Sequence, residues 1–237
     1  MIEAARRALS QASSIVTFSG AGLSAESGIP TFRDAPSGAL WSKYDPTELA
    51  SQQGYARDPA MVSDWYAWRR KAIAGAEPNP AHLALAARAD MTHVTQNVDD
   101  LMERAGCRDA IHLHGTIASD RCHDRCGHRE PVNMAEPPPL RDCPTCGAPL
   151  RPDVVWFGEP LPQDAWSAAE RACATCDVLL VVGTSAVVYP AAGLIELAKS
   201  SGARIVLVNI QPSEASGVAD VEVLGKAGDV VPRIVST

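Results

Sequence analysis

The chain has 237 residues, of which 46% are apolar and 21% are charged, the composition of an ordinary soluble globular protein. Its formal net charge of −7 disfavours general binding to nucleic acid or anionic membranes, which need a basic surface, and would attract a basic peptide. The first residues lack the apolar core of a secretion signal, and no stretch approaches the roughly 18 consecutive apolar residues of a membrane span. We therefore expect a cytoplasmic protein without a direct nucleic-acid partner and, because no exposed apolar surface demands one, a monomer.

Apolar periodicity predicts strands that alternate with helices. An opening helix follows from Ile2, Ala5, Leu9 and Ala12, which lie on one helical face. The later strands are apolar without interruption, which indicates a parallel sheet covered by helices on both faces, an α/β fold. The predicted strands are Ile15–Thr17, Met91–Thr95, Ile111–Leu113, Val154–Trp156, Val178–Val182, Arg204–Asn209 and one near Val221; the predicted helices are Asp100–Ala105, Ala165–Ala174 and Ala191–Ser200, and Trp41–Ile73 is irregular and then helical.

A glycine-containing stretch follows the first predicted strand. Gly20, Ala21 and Gly22 precede Ser24 and Ala25, and such a turn brings backbone N–H groups close to a phosphate. With Ala25 in the place of the third glycine this is a weak dinucleotide fingerprint, which ordinary strand-to-helix turns also satisfy. The acidic residue expected about 20 residues later, at the end of a second strand, is missing. The stretch therefore predicts a dinucleotide held unusually, with a loop in place of that strand.

Four of the seven cysteines form two close pairs in a segment from about 116 to 151 that has few apolar residues. The pairs are Cys122 with Cys126 and Cys143 with Cys146. Two intervening residues let both thiolates of the second pair reach one metal ion, and Gly147 relaxes that turn. Three residues separate the first pair, so His123 and His128 remain alternative ligands. The spacing predicts a structural zinc ribbon, since four thiolates leave no place for water.

The other cysteines and three of the histidines have no such setting and are interpreted as structural. They are Cys107, Cys173, Cys176, His82, His93 and His112.

Polar clusters follow three separate predicted strands. They are Gln96 to Asp99, His114 with Gly115, and Gly183 to Ser185. Open α/β sheets bind ligands beyond the carboxyl ends of their strands, so these clusters converge on one crevice with the glycine turn. His114 has the chemistry of a general base near neutral pH, whereas Asp99 could instead simply cap the next helix.

Taken together, these motifs resemble the sirtuins, in sirtuin order and over nearly the whole chain. The matching stretches are GAGLSAESGIPTFR, QNVD, HG, the two cysteine pairs, RPDVVWFGE, GTSAVVYPAA and VNI. The resemblance implies an NAD⁺-consuming lysine deacylase that releases nicotinamide, O-acyl-ADP-ribose and free lysine. It also implies a Rossmann-like domain (1–30, 81–115 and 152–237) and a small domain made of a helical part (31–80) and the zinc ribbon (116–151), with NAD⁺ between them.

The resemblance also assigns roles residue by residue, with His114 as the general base. The cofactor-binding residues it implies are Gly20, Ala21, Gly22, Ser24, Ala25, Thr31, Phe32, Arg33, Gln96, Asn97, Asp99, Gly183, Thr184, Ser185, Asn209 and Ala227, with Asn97 also catalytic. The backbone of Val154, Val155, Phe157, Gly158 and Glu159 would pair with an acyl-lysine peptide as an added strand.

Tyr66 and Arg69 lie three residues apart, on one face of a predicted helix, which also fits a plain amphipathic helix. The pair matches the sirtuin subclass that removes succinyl and malonyl groups, and Ala50 matches its small pocket residue. A guanidinium and a phenol hydroxyl would together bind a carboxylate. The resemblance thus implies a succinyl or malonyl preference, with acetyl also accepted.

Three other functions compete with this one. An ADP-ribosyltransferase could use the same NAD⁺ site with another nucleophile. A catalytically silent acyl-peptide or nucleic-acid binding module is disfavoured by Asn97, Asp99 and His114 and by the acidic charge. A dehydrogenase is disfavoured because the ribose-binding acidic residue is missing.

Overall fold

The computed structural model describes residues 1–30, 45–124 and 126–236, where helices alternate with strands. Helices are α1 (Ile2–Gln11), α2 (Pro46–Leu49), α3 (Gln52–Arg57), α4 (Pro59–Ala74), α5 (Pro80–Ala86), α6 (Leu101–Arg104), α7 (Gln163–Thr175), α8 (Gly193–Ser200) and α9 (Ala227–Val235). Strands are β1 (Ile15–Ser19), β2 (Met91–Thr95), β3 (Ile111–His112), β4 (Gly115–Cys122), β5 (Arg129–Pro131), β6 (Leu150–Val154), β7 (Val178–Val182), β8 (Arg204–Asn209) and β9 (Val221–Leu224).

Six strands form a parallel sheet in the order β3-β2-β1-β7-β8-β9. Strands β2 and β3 follow one another on one side of β1, and strands β7, β8 and β9 follow one another on the other side. The direction in which successive strands are added to the sheet therefore reverses between β1 and β7. At such a switch point the loops beyond the carboxyl ends diverge and leave a crevice. The predicted α/β class is confirmed, and the predicted bounds of β2, β7 and β8 agree with the structure.

Alternate residues of the strands pack on opposite faces of this sheet, because side chains alternate along a strand. Leu180 and Val182 of β7 pack in the cluster that includes α1, α5 and α9. Leu179 and Val181 pack in the cluster that includes α7 and α8. This two-sided burial is why β7 is apolar without interruption, as expected for a parallel strand covered on both faces.

A second, three-stranded antiparallel sheet has the order β5-β4-β6. The prediction of a strand at Val154–Trp156 that resumes the parallel sheet was wrong. The strand lies at Leu150–Val154, and Val154 pairs with Gly115 of β4. An apolar run cannot reveal which sheet it joins, since both kinds of strand bury valine. The predicted domain boundaries after 115 and 151 fall inside these strands, and the division into domains stays a prediction.

Helix α4 is fastened to the small sheet by a buried arginine. Arg70 lies near the carboxyl end of α4; its Nε donates to the carbonyl of Ile117 (2.8 Å), and its Nη2 lies 2.7 Å from the Asp120 carboxylate. The two side chains of this ion pair are 5% and 6% exposed. The backbone acceptors and the carboxylate satisfy the buried guanidinium, which fixes the position of α4 on β4.

Among the described residues, no helix is both long enough and apolar enough to cross a bilayer.

The loops after β1 and β7 touch backbone to backbone. The N–H of Gly22 donates to the carbonyl of Gly183 (2.8 Å). A Cβ on Gly22 would lie 2.7 Å from the Cα of Gly183, and one on Gly183 would lie 2.4 Å from the backbone N of Leu23. Gly183 also has a φ of +61°, which favours glycine. These glycines are therefore required for one loop to pack on the other.

We expect Gly22→Ala to lower the free energy of unfolding by about 1 to 3 kcal/mol, because backbone atoms cannot give way as a flexible side chain can. Urea unfolding of the ligand-free protein measures this effect. Gly217→Ala is the matched control, since a Cβ there meets nothing within 4 Å. Equal stability of the two variants would contradict the loop-packing interpretation.

Candidate active site

Most of the predicted cofactor-binding residues follow the carboxyl ends of the parallel strands. Two turns of 3₁₀ helix, Ala21–Leu23 and Ala25–Ser27, follow β1 at the place where a dinucleotide fingerprint usually opens a helix. The glycine turn therefore lacks the N-terminus of a long helix. The positions Gly20 to Ala25, Gln96 to Asp99, Gly183 to Ser185, Asn209 and Ala227 occupy this end of the sheet, whereas Thr31, Phe32 and Arg33 lie outside the described residues.

Ser24 is the centre of a buried hydrogen-bond network. Its hydroxyl donates to Oδ2 of Asp99 (2.9 Å) and accepts from Nδ2 of Asn97 (3.1 Å). The backbone N–H of Leu101 donates to the other Asp99 oxygen (3.2 Å), so Asp99 does bond the first turn of α6 as well. Burial raises the pKa of Asp99, and the hydrogen bonds from Leu101 and Ser24 oppose that rise. The network joins the loops after β1 and β2 into one wall.

His82 belongs to the same network, although its sequence setting marked it only as structural. Its Nδ1 accepts from the backbone N–H of Asn79 (3.2 Å), so the neutral ring carries its proton on Nε2, which lies 3.3 Å from the Ser24 hydroxyl. Burial lowers the pKa of His82 to about 4, which keeps the ring neutral. No sequence signal pointed to this contact, because 58 residues separate the two side chains.

One hydrogen bond from a ring nitrogen to the backbone fixes the orientation of the His114 imidazole. Nδ1 lies 3.0 Å from the carbonyl of Gln96, which can only accept, so Nδ1 carries the proton and Nε2 carries a lone pair. Burial lowers the pKa of His114, and the bond to Gln96 opposes that shift only in part. A neutral, oriented imidazole at the edge of the sheet is ready to accept a proton at neutral pH.

His112 also supports the site, which its sequence setting did not reveal. Its two ring nitrogens lie 2.9 Å from the carbonyl of Asn97 and 2.8 Å from the Glu103 carboxylate. Burial alone would lower the pKa of His112, but the hydrogen bond and charge of Glu103 outweigh it and raise the pKa. His112 therefore bonds the loop that carries Asn97 to α6.

The opposite wall comes from β7 and β8. Nε2 of Gln96 donates to the Thr184 hydroxyl (3.0 Å), and Nδ2 of Asn209 donates to the Thr184 carbonyl (2.9 Å). Ala227 begins α9, where the Glu26 carboxylate accepts from the backbone N–H of Gly228 (2.7 Å). The crevice is thus lined by hydroxyls, amides and backbone groups, which suit the riboses and phosphates of a dinucleotide.

The structure places the predicted acyl-pocket residues in one region around α4. Ala50, Tyr66 and Val154 share one buried cluster, although they come from different elements. The Arg69 guanidinium lies 5.0 Å from the ring centre of Trp65 and 5.8 Å from that of Tyr66. Burial lowers the pKa of Arg69, but the attraction of Tyr66 and Asp99 opposes this, and arginine stays charged.

The segment 154–159 is held by internal bonds. The N–H groups of Val155 and Phe157 donate to the carbonyls of His114 and Ala50, both at 2.9 Å. The Glu159 side chain, 2% exposed, pairs with Arg151 (2.5 Å) and Arg121 (2.9 Å). Burial would raise the pKa of Glu159, yet hydrogen bonds led by Arg151 hold it below its usual value. The carboxylate anchors the segment, while Gly158 and the Phe157 ring are exposed.

The four predicted metal ligands come together at one end of the small sheet. All their sulfurs lie within 4.8 Å of one another, with Cys122 and Cys146 at 3.4 Å and Cys126 and Cys143 at 3.6 Å. A tetrahedral zinc with thiolate ligands separates its sulfurs by about 3.8 Å, so the geometry fits. His123 instead stacks on Tyr55, and His128 contacts Glu130, which leaves the cluster to the four cysteines.

The structure also agrees with the predictions for Gly147 and for the three cysteines outside the metal cluster. Gly147, after the second cysteine pair, has a φ of +77°. Cys107, Cys173 and Cys176 are buried in the hydrophobic clusters that flank the parallel sheet, as predicted.

A parallel sheet with a crevice at its switch point, beside a small sheet with four clustered thiols, defines a nucleotide-binding α/β protein with a structural metal centre. Residues 20–190 match the model of the Sir2 family. Because that match spans more than half of the chain, the protein belongs to the Sir2 family, the sirtuins.

Relatives and solved structures agree with this assignment. The chain is 53% identical to NAD-dependent protein deacylase 2 of Pyrobaculum aerophilum, over 93% of this chain and 89% of the relative. It is 49% identical to the NAD-dependent protein deacylase of Methylococcus capsulatus, over 95% and 92%. A Sir2 homolog–NAD complex superposes with a TM-score of 0.92 at 44% identity, over 98% of this chain and 92% of that one. Sir2 bound to an acetylated peptide superposes with a TM-score of 0.86 at 28% identity, over 99% and 97%.

We expect the purified protein to contain one zinc ion per chain and Cys143→Ser to lose it, since three thiolates close the tetrahedron poorly. Elemental analysis with protein quantification measures the ratio. Cys107→Ser, which removes a buried cysteine outside the cluster, should keep the metal. Full zinc in the Cys143 variant, or none in the wild type, would contradict this assignment.

Proposed function

We propose that this protein is an NAD⁺-dependent protein-lysine deacylase. The observation that carries the proposal is the placement of His114, neutral and oriented by Gln96, beside the Ser24, Asn97 and Asp99 wall of the crevice. The names of its close relatives and their coverage of nearly the whole chain support the same activity.

The donor set of the crevice fits NAD⁺. The backbone of the loops after β1 and β7 would face the phosphates, Ser24 and Asn97 the nicotinamide ribose, and Asn209 with Ala227 the adenosine half. When bound, NAD⁺ supplies an electrophilic ribose carbon to which an acyl oxygen can bond as nicotinamide leaves. Thr31, Phe32 and Arg33, in the roles that the resemblance implies, would complete the nicotinamide side.

His114 would act as the general base of this reaction. Its Nε2 would take up a proton from a hydroxyl group presented in the crevice, because Nδ1 is already committed to the carbonyl of Gln96. Nothing in this role requires zinc, which would only hold the small sheet and its connections together.

The segment 154–159 would bind the peptide around the modified lysine. Because the N–H groups of Val155 and Phe157 already donate within the chain, we infer that pairing relies on the segment's carbonyls and on Gly158. The ion pairs of Glu159 would keep this backbone in place before the peptide arrives. Recognition through backbone groups gives affinity with little sequence preference.

Within this activity we infer a preference for succinyl- and malonyl-lysine. Arg69 and Tyr66 would bind the terminal carboxylate of the acyl group through a charged guanidinium and a hydroxyl. Ala50, which is buried in the same cluster as Tyr66, would leave room for the longer chain. Burial raises the pKa of Tyr66, so the phenol keeps its proton at neutral pH.

Two further properties are proposed on physical grounds. Four free thiols poised for zinc need a reducing compartment, which favours the cytoplasm. The monomeric state stays a prediction, and so does the two-domain division, in which residues 31–80 and the zinc ribbon 116–151 form the smaller domain.

Mass spectrometry on two lysine peptides that differ only in an acetyl or succinyl group tests the activity. With NAD⁺ we expect free lysine, nicotinamide and O-acyl-ADP-ribose, and a higher kcat/KM for the succinyl peptide. His114→Ala should lower kcat by about 10²- to 10⁴-fold, the usual contribution of a general base. The variant should still be stabilised by NAD⁺ in thermal unfolding.

Other outcomes of this assay would point elsewhere. ADP-ribosylated protein without free lysine would indicate the transferase, and binding without turnover of either peptide would indicate the silent binding module. Turnover by His114→Ala at the wild-type rate would remove His114 from the reaction.

We expect Arg69→Met to reduce kcat/KM for the succinyl peptide by the equivalent of about 2 to 5 kcal/mol, the cost of losing one partner of a desolvated charge pair. Hydrolysis of the acetyl peptide should change much less. Lys71→Met is the matched control, because it removes one exposed positive charge from the same helix. Equal losses on both substrates would reject the carboxylate assignment.

A further inference from the structure

Trp156 donates a hydrogen bond to the phenol oxygen of Tyr66. The distance from its Nε1 to that oxygen is 2.9 Å, and the two residues are 1% and 0% exposed. The indole N–H can only donate, so the Tyr66 oxygen is the acceptor. Motif spacing did not mark Trp156, since an apolar ring in a buried run is ordinarily a core residue.

This bond restricts which further hydrogen bonds the Tyr66 hydroxyl can make. With one of its oxygen lone pairs engaged by Trp156, the O–H group is left to donate. Within the part of the chain that the structure describes, the hydroxyl makes no other hydrogen bond. A buried donor without an acceptor is costly, and an acyl carboxylate would supply one.

The indole itself is held on several sides. The Arg151 guanidinium lies 3.8 Å from the centre of the Trp156 ring, and the Tyr55 ring centre lies 5.2 Å away. The backbone N–H of Trp156 donates to Oε2 of Glu159 (3.0 Å), whose other oxygen pairs with Arg151. The ring therefore cannot turn its N–H away from Tyr66 without breaking packing that belongs to the peptide segment.

We propose that Trp156 is a positioning residue for acyl-group specificity: its indole N–H holds the Tyr66 hydroxyl as a donor aimed at the carboxylate of a succinyl or malonyl group. This inference rests on the proposed acyl preference and adds a residue that does not itself touch the acyl carboxylate. It also links the two substrate-binding parts, because Trp156 is part of the segment 154–159 while Tyr66 lies on α4.

Trp156→Phe, which keeps an aromatic ring but removes the N–H, tests the proposal with the matched acetyl and succinyl peptides. We expect kcat/KM for the succinyl peptide to fall about tenfold, as for the loss of one oriented hydrogen bond to a charged group. The acetyl value should fall much less, so that the ratio of succinyl to acetyl kcat/KM drops. The loss should be in KM and in the Kd of the succinyl peptide measured by calorimetry, with kcat little changed.

A double-mutant cycle with Tyr66→Phe separates positioning from packing. Once the hydroxyl is gone, Trp156→Phe should no longer change the ratio of succinyl to acetyl kcat/KM. Equal losses on both substrates, or losses that add to those of Tyr66→Phe, would overturn the proposal.

Replacement of Trp156 by 3-benzothienylalanine keeps the shape of the indole and substitutes sulfur for the N–H, so the test holds even where phenylalanine disturbs folding. The same tenfold selective loss is expected, and an unchanged succinyl to acetyl ratio would overturn the proposal. If wild-type protein showed no succinyl preference, the acyl assignment would fail and this inference with it. If wild-type protein showed the preference and the analogue kept it, only the inference would fail.

Discussion

The close approach of two loop backbones, between Gly22 after β1 and Gly183 after β7, is the constraint on which the site depends. β1 and β7 are neighbours where the strand order changes direction, so their loops would otherwise diverge. The hydrogen bond from the Gly22 N–H to the Gly183 carbonyl holds the two loops together where they leave the sheet. Thr184 follows Gly183 directly and Ser24 lies two residues after Gly22, and these two residues begin the two polar walls of the crevice. Without that contact, neither wall would have a fixed position relative to the other.

Burial has opposite consequences in the two parts of the site. In the crevice it lowers the pKa values of His82 and His114, so each neutral ring keeps one nitrogen lone pair. Beside the segment 154–159 it encloses charged groups, and there Arg151 and Arg121 both pair with Glu159. The Arg151–Glu159 pair is the clearest case, since both side chains are at most 2% exposed. Removing one member of such a pair leaves the other charge buried without its partner, so the conformation of the segment 154–159 depends on both residues.

The small sheet has a different source of stability. Its own hydrophobic cluster contains two cysteines and Leu150, with Ala148 packed against it, which is too little apolar surface to hold a fold. Four thiolates around one metal ion can replace the missing core. β4 and β6 extend from this metal end to the parallel sheet, where Gly115 pairs with Val154 next to His114. The metal centre is thereby connected to the site through these two strands.

By itself, the sequence determined the local features: the apolar strands β2, β7 and β8, the cysteine pairs, and the polar clusters after the strands, because each depends on residues close together in the chain. It also identified the family, through several motifs in a fixed order. Tertiary structure alone decided that Leu150–Val154 joins the small sheet, that the glycines serve loop packing, and that His82, His112 and Trp156 hold the site residues. In each case the deciding partner lies well away along the chain or is a backbone atom that any residue could supply. Periodicity and motif spacing contain no information about such contacts, which depend on how the elements pack in space.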